Sequence, residues 1–280
     1  MNIDRDVYQD ILALLYEQRR FDSSHYYPAF VKRRIADRLG RLKSGDALEF
    51  LHQLKHKPDE LDALVDSLTI NVSRFFRDGL MFAYLENILL PGLLTEKART
   101  ENYYLRMWSA GCATGEEPYS VAILLYELLT KEKIHYDIKL FATDIDQDSL
   151  HAAEQGAYPF ERIKDVRYQF LKTYFRAEGK AYYIIPEIKK LVSYSYFDML
   201  NTSAFVPPES VFGNFDIVFC RNLLIYFTPQ SQDAIFKKLF RAIVKNGYLI
   251  LGTSEKPPLA FNRYFQQVND CCGIFQKIGD

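Results

Sequence analysis

One loop and one acid carry most of the chemistry that can be read from residue types and spacing. Ala110-Gly111-Cys112-Ala113-Thr114-Gly115-Glu116-Glu117-Pro118 follows the apolar run Tyr104 to Trp108 and precedes a helical pattern over Tyr119 to Leu129. A strand, a glycine-containing loop and a helix start make the crevice in which open α/β sheets bind ligands, and small residues let a ligand come close to the backbone. The loop lacks the G-x-G-x-x-G spacing of a pyrophosphate cradle and the Gly-Lys-Ser/Thr of a triphosphate loop. The same residues have a purely structural reading. Thr114-x-x-Glu117 is a capping box, and Glu116 and Glu117 suit the positive end of a helix. Spacing alone leaves both open. The next apolar run, Ile138 to Ala142, leads into Thr143-Asp144-Ile145-Asp146. A carboxylate at that strand end can accept hydrogen bonds from both hydroxyls of a ribose, or it can cap the following helix. Loop and acid together suggest a nucleoside-containing ligand.

The elements that must position these residues fall into two patterns. Over the first ~70 residues apolar side chains recur at helical spacing: Val7, Ile11, Leu14 and Leu15, then Val31, Ile35 and Leu39, then Leu48, Leu51 and Leu54, then Leu61, Leu64 and Leu68. After residue 100, short apolar runs (Tyr104 to Trp108, Ile138 to Ala142, Phe215 to Cys220, Tyr248 to Leu251) alternate with amphipathic stretches such as Gln230 to Val244. Strands alternating with helices imply a mostly parallel sheet covered on both faces. Residues 158–196 break the rhythm. Tyr182 to Ile185 and Lys190 to Ser195, with the turn signal Glu178-Gly179-Lys180, predict a small inserted β element.

Composition narrows the function classes. The 280 residues carry 35 Lys+Arg against 36 Asp+Glu, a net charge of -1, which argues against a general nucleic-acid binder. Four cysteines without a C-x-x-C pair and five histidines without a third ligand near His52-x-x-x-His56 predict neither a disulfide framework nor a metal site. The polar, acidic opening Met1 to Asp6 is not a signal peptide, and no apolar run approaches the ~20 residues of a membrane span, so a cytoplasmic protein without membrane insertion is expected. The 21 Phe and 20 Tyr are a packing resource and not by themselves a site.

Three further stretches make the pattern specific: Leu68 to Asp78, containing Thr69-x-Asn71-x-Ser73-x-Phe75-Phe76-Arg77; Phe215 to Phe227, containing Cys220-Arg221-Asn222; and Gly247 to Glu255. With Trp108 to Ser120 they resemble the chemotaxis receptor (CheR-type) methyltransferases over almost the whole chain. The resemblance implies a Rossmann-like class I methyltransferase sheet over 73–280, an all-helical domain over 1–72 and the inserted β-subdomain at 158–196. It implies transfer of a methyl group from S-adenosyl-L-methionine to glutamate side chains of methyl-accepting chemoreceptors, on their cytoplasmic helical domain, with S-adenosyl-L-homocysteine as product. It also assigns roles. Asn71, Ser73 and Arg77 lie over the cofactor; Glu117 takes its ammonium and Asp144 its ribose; Asp198 and Met199 flank the adenine; Arg221 and Asn222 line the pocket. Arg77 and Tyr226 handle the substrate carboxylate. Ser73 stands where the family has Thr and keeps the hydroxyl. The short turn at Glu178 to Lys180 argues against the receptor-tail docking that a longer insert provides in some members. A monomer is expected.

Methyl transfer to a carboxylate needs no general base, because a glutamate side chain with a reference pKa of ~4.3 is already ionised at neutral pH. Alignment and exclusion of water remain as the protein's task. Arg77 offers a planar fork that holds a carboxylate in one orientation. Lys32, Arg33, Arg34, Arg38, Arg41 and Lys43 form a basic run, with Arg34, Arg38 and Arg41 on one helix face. Such a run is usually a solvated face; given the resemblance, it is a dock for an acidic receptor helix. Two other functions remain. A nucleic-acid methyltransferase is disfavoured because Cys220-Arg221-Asn222-Leu223 is neither an acid or amide before Pro-Pro-aromatic nor a Pro-Cys nucleophile. A non-catalytic cofactor-binding module is disfavoured by the presence of Arg77, Glu117, Asp144 and Tyr226.

Overall fold

A computed structural model describes residues 3–41, 45–69, 73–132, 135–210 and 212–279. The chain divides into two compact units, Met1–Ile70 with Tyr226–Asp233, and Asn71–Ile225 with Ala234–Asp280.

The first unit is built on α1 (Arg5–Arg19), α2 (Pro28–Leu39), α3 (Ala47–His56) and α4 (Pro58–Leu68). Their ends follow local chemistry. Asp4 and Asp46 accept backbone N–H groups at the starts of α1 and α3, and Pro28 and Pro58 open α2 and α4, where no N–H is needed. The apolar stripes read from the sequence meet in one core, in which Ile11, Leu15, Ile35, Phe50, Leu61 and Leu64 are fully buried; Leu48 is the exception, 64% exposed, and Phe50 fills the core from α3 with Leu51 and Leu54. Tyr226–Asp233 joins this unit from a distant part of the chain. Tyr27 N–H donates to the Tyr226 carbonyl at 2.9 Å, Thr228 N–H donates to the His25 carbonyl at 2.8 Å, and the Tyr26 and Phe227 rings lie 4.8 Å apart.

The second unit begins with α5 (Gly79–Tyr84) and α6 (Leu90–Arg99), followed by β1 (Tyr104–Ala110), α7 (Glu116–Glu132), β2 (Asp137–Asp144) and α8 (Gln147–Gln155). An insertion follows: β3 (Ala157–Pro159), α9 (Phe160–Ile163), α10 (Tyr168–Tyr174), β4 (Phe175–Glu178), β5 (Ala181–Ile184) and α11 (Pro186–Lys189). The remainder is β6 (Val192–Tyr196), β7 (Phe215–Cys220), α12 (Pro229–Ala242, whose first turn belongs to the first unit), β8 (Ile243–Leu251), β9 (Phe265–Gln267) and β10 (Ile274–Lys277).

Seven strands form one sheet in the order β6-β2-β1-β7-β8-β10-β9. The first five are parallel, while β10 runs antiparallel to both β8 and β9. This is the doubly wound α/β sheet that the strand–helix alternation predicts. The order reverses between β1 and β7, so the carboxyl ends of β1, β2 and β7 open onto the switch point where such sheets take ligands. The buried runs are largely apolar: β7 is buried along its whole length, as a central parallel strand must be, and its one acid, Asp216, is paired with Lys97 at 2.8 Å. Trp108 is fully buried and donates through Nε1 to Thr143 Oγ1 at 2.9 Å, joining β1 to β2 beside the site.

The insertion differs from expectation at one end. β3, β5 and β4 make a separate three-stranded sheet, but Val192–Tyr196, expected within the inserted β element, is the edge strand of the main sheet, parallel to β2. Its half-polar alternation comes from having one neighbour only, and that composition resembles a small antiparallel strand.

Candidate functional site

The loop after β1 is wound by three left-handed residues within five positions, Gly111 (φ +76°), Ala113 (φ +48°) and Gly115 (φ +88°). Gly111 and Cys112 both donate N–H groups to the Thr143 carbonyl, at 2.8 and 3.0 Å, which folds the loop over the end of β2. Glycine is required at 115. A Cβ there would lie 2.7 Å from the Tyr194 hydroxyl and 2.8 Å from Ala153 Cβ. Behind the loop, Tyr158 donates to the Thr114 carbonyl at 2.7 Å and Tyr119 to the Ala153 carbonyl at 2.8 Å.

Asp144 ends β2 and is buried. Its Oδ2 accepts Ala113 N–H at 2.8 Å and its Oδ1 accepts Asp146 N–H at 3.0 Å. Burial pushes its carboxyl up from the ordinary carboxylate value. Asp146, and not Asp144, caps α8 by accepting from Asp148 and Ser149. The strand-end acid is therefore left to the loop and the crevice.

The capping box that the spacing of Thr114 and Glu117 left open does not form. Thr114 Oγ1 donates to Glu116 at 2.8 Å, whereas Glu117 accepts from Ser109 Oγ at 2.7 Å and from Arg221 Nη1 at 2.9 Å. The helix start buries Glu116 completely and turns Glu117 toward the end of β1. Each acid meets an arginine from elsewhere in the chain. Arg162, on α9, donates to Glu116 at 3.2 Å and to the Ser73 carbonyl at 2.6 Å. Arg221, after β7, donates to Glu117, to the Arg77 carbonyl at 3.0 Å and to Asp78. The segment Ser73 to Asp78 is thus tied to the first turn of α7 at both ends. Phe76 N–H adds a bond to Ser120 Oγ at 3.0 Å. Arg77 lines a groove of about 540 Å³ with Arg74, Phe76, Phe82 and Arg167.

Arg221 and Asn222 sit on a turn held by a carboxylate that sequence reasoning left without a role. Glu255 is 5% exposed and accepts the N–H groups of Asn222 and Gly252 at 2.7 Å and of Ile225 at 3.3 Å. Burial raises its carboxyl. Asn222 is left-handed at φ +58°. On the other side of Asp144, Phe197 N–H donates to the Asp144 carbonyl at 2.9 Å, and this brings Asp198 and the buried Met199 to the same end of the sheet. Asp198 Oδ1 accepts Leu200 N–H at 2.8 Å, and its carbonyl accepts Lys238 Nζ at 3.3 Å.

The second unit therefore brings together Ser73, Arg77, Glu117, Asp144, Asp198, Met199, Arg221 and Asn222. Asn71 lies outside the described residues. Tyr226 belongs to the helical unit, where its ring packs 5.0 Å from Phe30. Of the basic face expected at Arg34, Arg38 and Arg41, Arg34 is half-buried over the Phe30 ring, whereas Arg41 is exposed but lies beyond α2, which ends at Leu39 with Gly40 as its cap. Arg38 is only 15% exposed and is committed to Glu60. The sequence analysis missed Asp78, Arg162 and Glu255. Asp78 and Glu255 stand inside quoted motifs, next to Arg77 and at the end of Gly252-Thr253-Ser254, but nothing in spacing shows which buried partner a carboxylate meets.

The donor set suits a nucleoside bearing an amino acid. A buried carboxylate ends β2, and a second, partly exposed carboxylate stands at the start of α7. Arg221 adds a buried Nε without a hydrogen-bond partner among the described residues. Residues 71–273 match the family model described as CheR methyltransferase, SAM binding domain, and residues 6–69 match the one described as CheR methyltransferase, all-alpha domain. The chain is 30% identical over 258 residues to a chemotaxis protein methyltransferase of Borreliella burgdorferi, covering 91% of this chain and 89% of that protein. It is 32% identical over 251 residues to the chemotaxis protein methyltransferase of Escherichia coli, covering 89% and 83%. A 104.1 kDa uncharacterized protein of Rhodobacter capsulatus is 35% identical over 88% of this chain, which spans 25% of that protein. Motif order, sheet topology and both family models agree that this chain belongs to the CheR methyltransferases, with an S-adenosyl-L-methionine-binding domain and an all-α domain.

Proposed function

We propose that the crevice at the ends of β1, β2 and β7 holds S-adenosyl-L-methionine, and that Arg77 and Tyr226 handle the glutamate that receives the methyl group. The chain is a protein-glutamate O-methyltransferase of the chemotaxis type, and its substrates are side chains on the cytoplasmic helices of chemoreceptors. The observation that carries the residue assignment is the meeting of Glu117, Asp144 and Arg221 at one sheet end.

Bound there, the cofactor supplies an electrophilic methyl group on a sulfonium. Asp144 keeps lone pairs for the ribose hydroxyls beyond its two backbone bonds. Glu117 receives the ammonium, held in orientation by Ser109 and Arg221. Ser73, Asp198, Met199 and Asn222 complete the walls. Arg77 orients the substrate carboxylate through its planar fork. Because the carboxylate is already ionised, no side chain has to remove a proton, and positioning can supply ~7–11 kcal/mol of the barrier. Arg34 and Arg41 offer the receptor helix a cationic edge, while Arg38 serves the helical unit through Glu60. The protein works in the cytoplasm as a monomer, and the short β4–β5 turn, only Gly179 and Lys180, supports a mode without a tail-peptide tether. No helix among the described residues is long and apolar enough to cross a membrane.

The test is transfer of label from methyl-labelled S-adenosyl-L-methionine to membranes bearing the cognate receptor. Label released by mild base identifies an ester. Base-stable label refutes the reading. Arg77→Ala and Tyr226→Phe should each abolish most transfer while the protein stays folded, and wild-type rates in both remove the catalytic assignment.

A further inference from the structure

We propose that Asp78 is a positioning residue of the cofactor site: it is the second counter-ion of Arg221, and it leaves Glu117 available to the cofactor's ammonium. The inference rests on the assignment of Glu117 above and deepens it. Arg221 is nearly sealed from water, with 3% of its side chain exposed. A guanidinium so placed must be matched by negative charge and hydrogen-bond acceptors. Its Nη1 is bonded to Glu117 at 2.9 Å, and its Nη2 is shared between the Arg77 carbonyl at 3.0 Å and the Asp78 carboxylate. With Glu117 alone, an arriving ammonium would compete with Arg221 for one carboxylate. With Asp78 present, two carboxylates face one guanidinium, and the surplus negative charge is what a single cation neutralises.

The backbone delivers Asp78 to this place at a conformational cost. Asp78 has φ +67° and Phe76 has φ +52°, so Arg77 is flanked by two left-handed non-glycine residues. Such turns persist only where the surroundings hold them. Here the holding groups are Arg221, on the Arg77 carbonyl and on Asp78, and Ser120, on the Phe76 N–H. Asp and Asn tolerate the left-handed region better than other side chains, so position 78 combines the required backbone with the required charge.

Asp78→Asn keeps shape and backbone tolerance and removes the charge. Calorimetric affinities for S-adenosyl-L-homocysteine and for 5′-methylthioadenosine, which lacks the amino-acid portion, separate the effects. Asp78→Asn should weaken the homocysteine ligand about tenfold and leave the methylthio ligand within about twofold. Equal weakening of both, or of neither, overturns the proposal. Glu117→Gln is the control. If it spares the ratio of the two affinities, the ammonium assignment fails and the role of Asp78 with it. If it lowers the ratio while Asp78→Asn does not, only the role of Asp78 fails. In an Arg221→Gln background, adding Asp78→Asn should alter the ratio by less than about twofold, and a larger change shows that Asp78 does not act through Arg221. Should Asp78→Asn not fold, Asp78→Ser is measured in the same way, with the same expected split.

Discussion

Glu255→Gln probes how the turn carrying Arg221 and Asn222 is held. In the wild-type protein, Oε2 serves two N–H groups at 2.7 Å and Oε1 serves Ile225 at 3.3 Å, with the Leu224 N–H also directed at the carboxylate. Glutamine has one carbonyl oxygen. If that oxygen keeps the two short bonds, the NH₂ group faces the Ile225 N–H, so one bond is lost and two donors oppose each other. A buried donor left unpaired costs about 1–3 kcal/mol, and replacing a charged acceptor by a neutral one weakens the other two bonds by ~0.5 kcal/mol each. The total is about 3 kcal/mol, or about 9 °C of melting temperature at about 3 °C per kcal/mol for a domain of this size. The pH dependence has a definite sign. Burial holds Glu255 above its ordinary value of 4.5, so between those two values the native chain keeps a proton that the unfolded chain has released. Stability from this group is present in full below pH 4.5 and is lost as pH rises to the raised value. Glutamine lacks that dependence. Calorimetry across that range should show the wild-type melting temperature losing a contribution that the variant does not have. A variant that melts with the wild type refutes the reasoning.

Three further outcomes are expected. Gly115→Ala forces a Cβ within 2.8 Å of Ala153 at φ +88°, so it should cost about 2–4 kcal/mol and lower cofactor affinity at least about tenfold by calorimetry. A variant that binds and melts as the wild type removes the steric account of the loop. Arg162→Met leaves Glu116 fully buried without its cation, and a loss of about 2–3 kcal/mol should appear in denaturant unfolding. Glu116→Gln added to Arg162→Met should recover part of that loss, and no recovery means that the ion pair is not what Arg162 contributes. Asp144→Asn keeps one of the two side-chain oxygens that accept backbone N–H groups and loses the charge, so cofactor affinity should fall by roughly 30-fold while Arg77→Ala retains a measurable association.

Much of this molecule was legible in its residues. The helical stripes of the first unit, the alternation of apolar runs with amphipathic helices and the glycines of the loop are local signals, because burial on one face has a fixed period and a left-handed turn needs a particular residue. The loop and Asp144 were found in this way. The edge strand β6 was misplaced because a half-buried parallel strand and a small antiparallel strand share the same composition. Tyr226–Asp233 joins the helical unit through backbone bonds to Tyr27 and His25, a pairing that separation in sequence conceals.

Periodicity and motif order therefore determined the class of sheet, the position of its ligand loop and the acids on offer, since each depends on residues within a few turns of one another. Only the tertiary structure decided which arginine each acid meets. Glu116 and Glu117 are adjacent and chemically alike, yet Arg162 takes one inward and Arg221 the other toward the crevice. The pairing of a buried charge is set by whatever the fold delivers from far along the chain, and no local pattern encodes it.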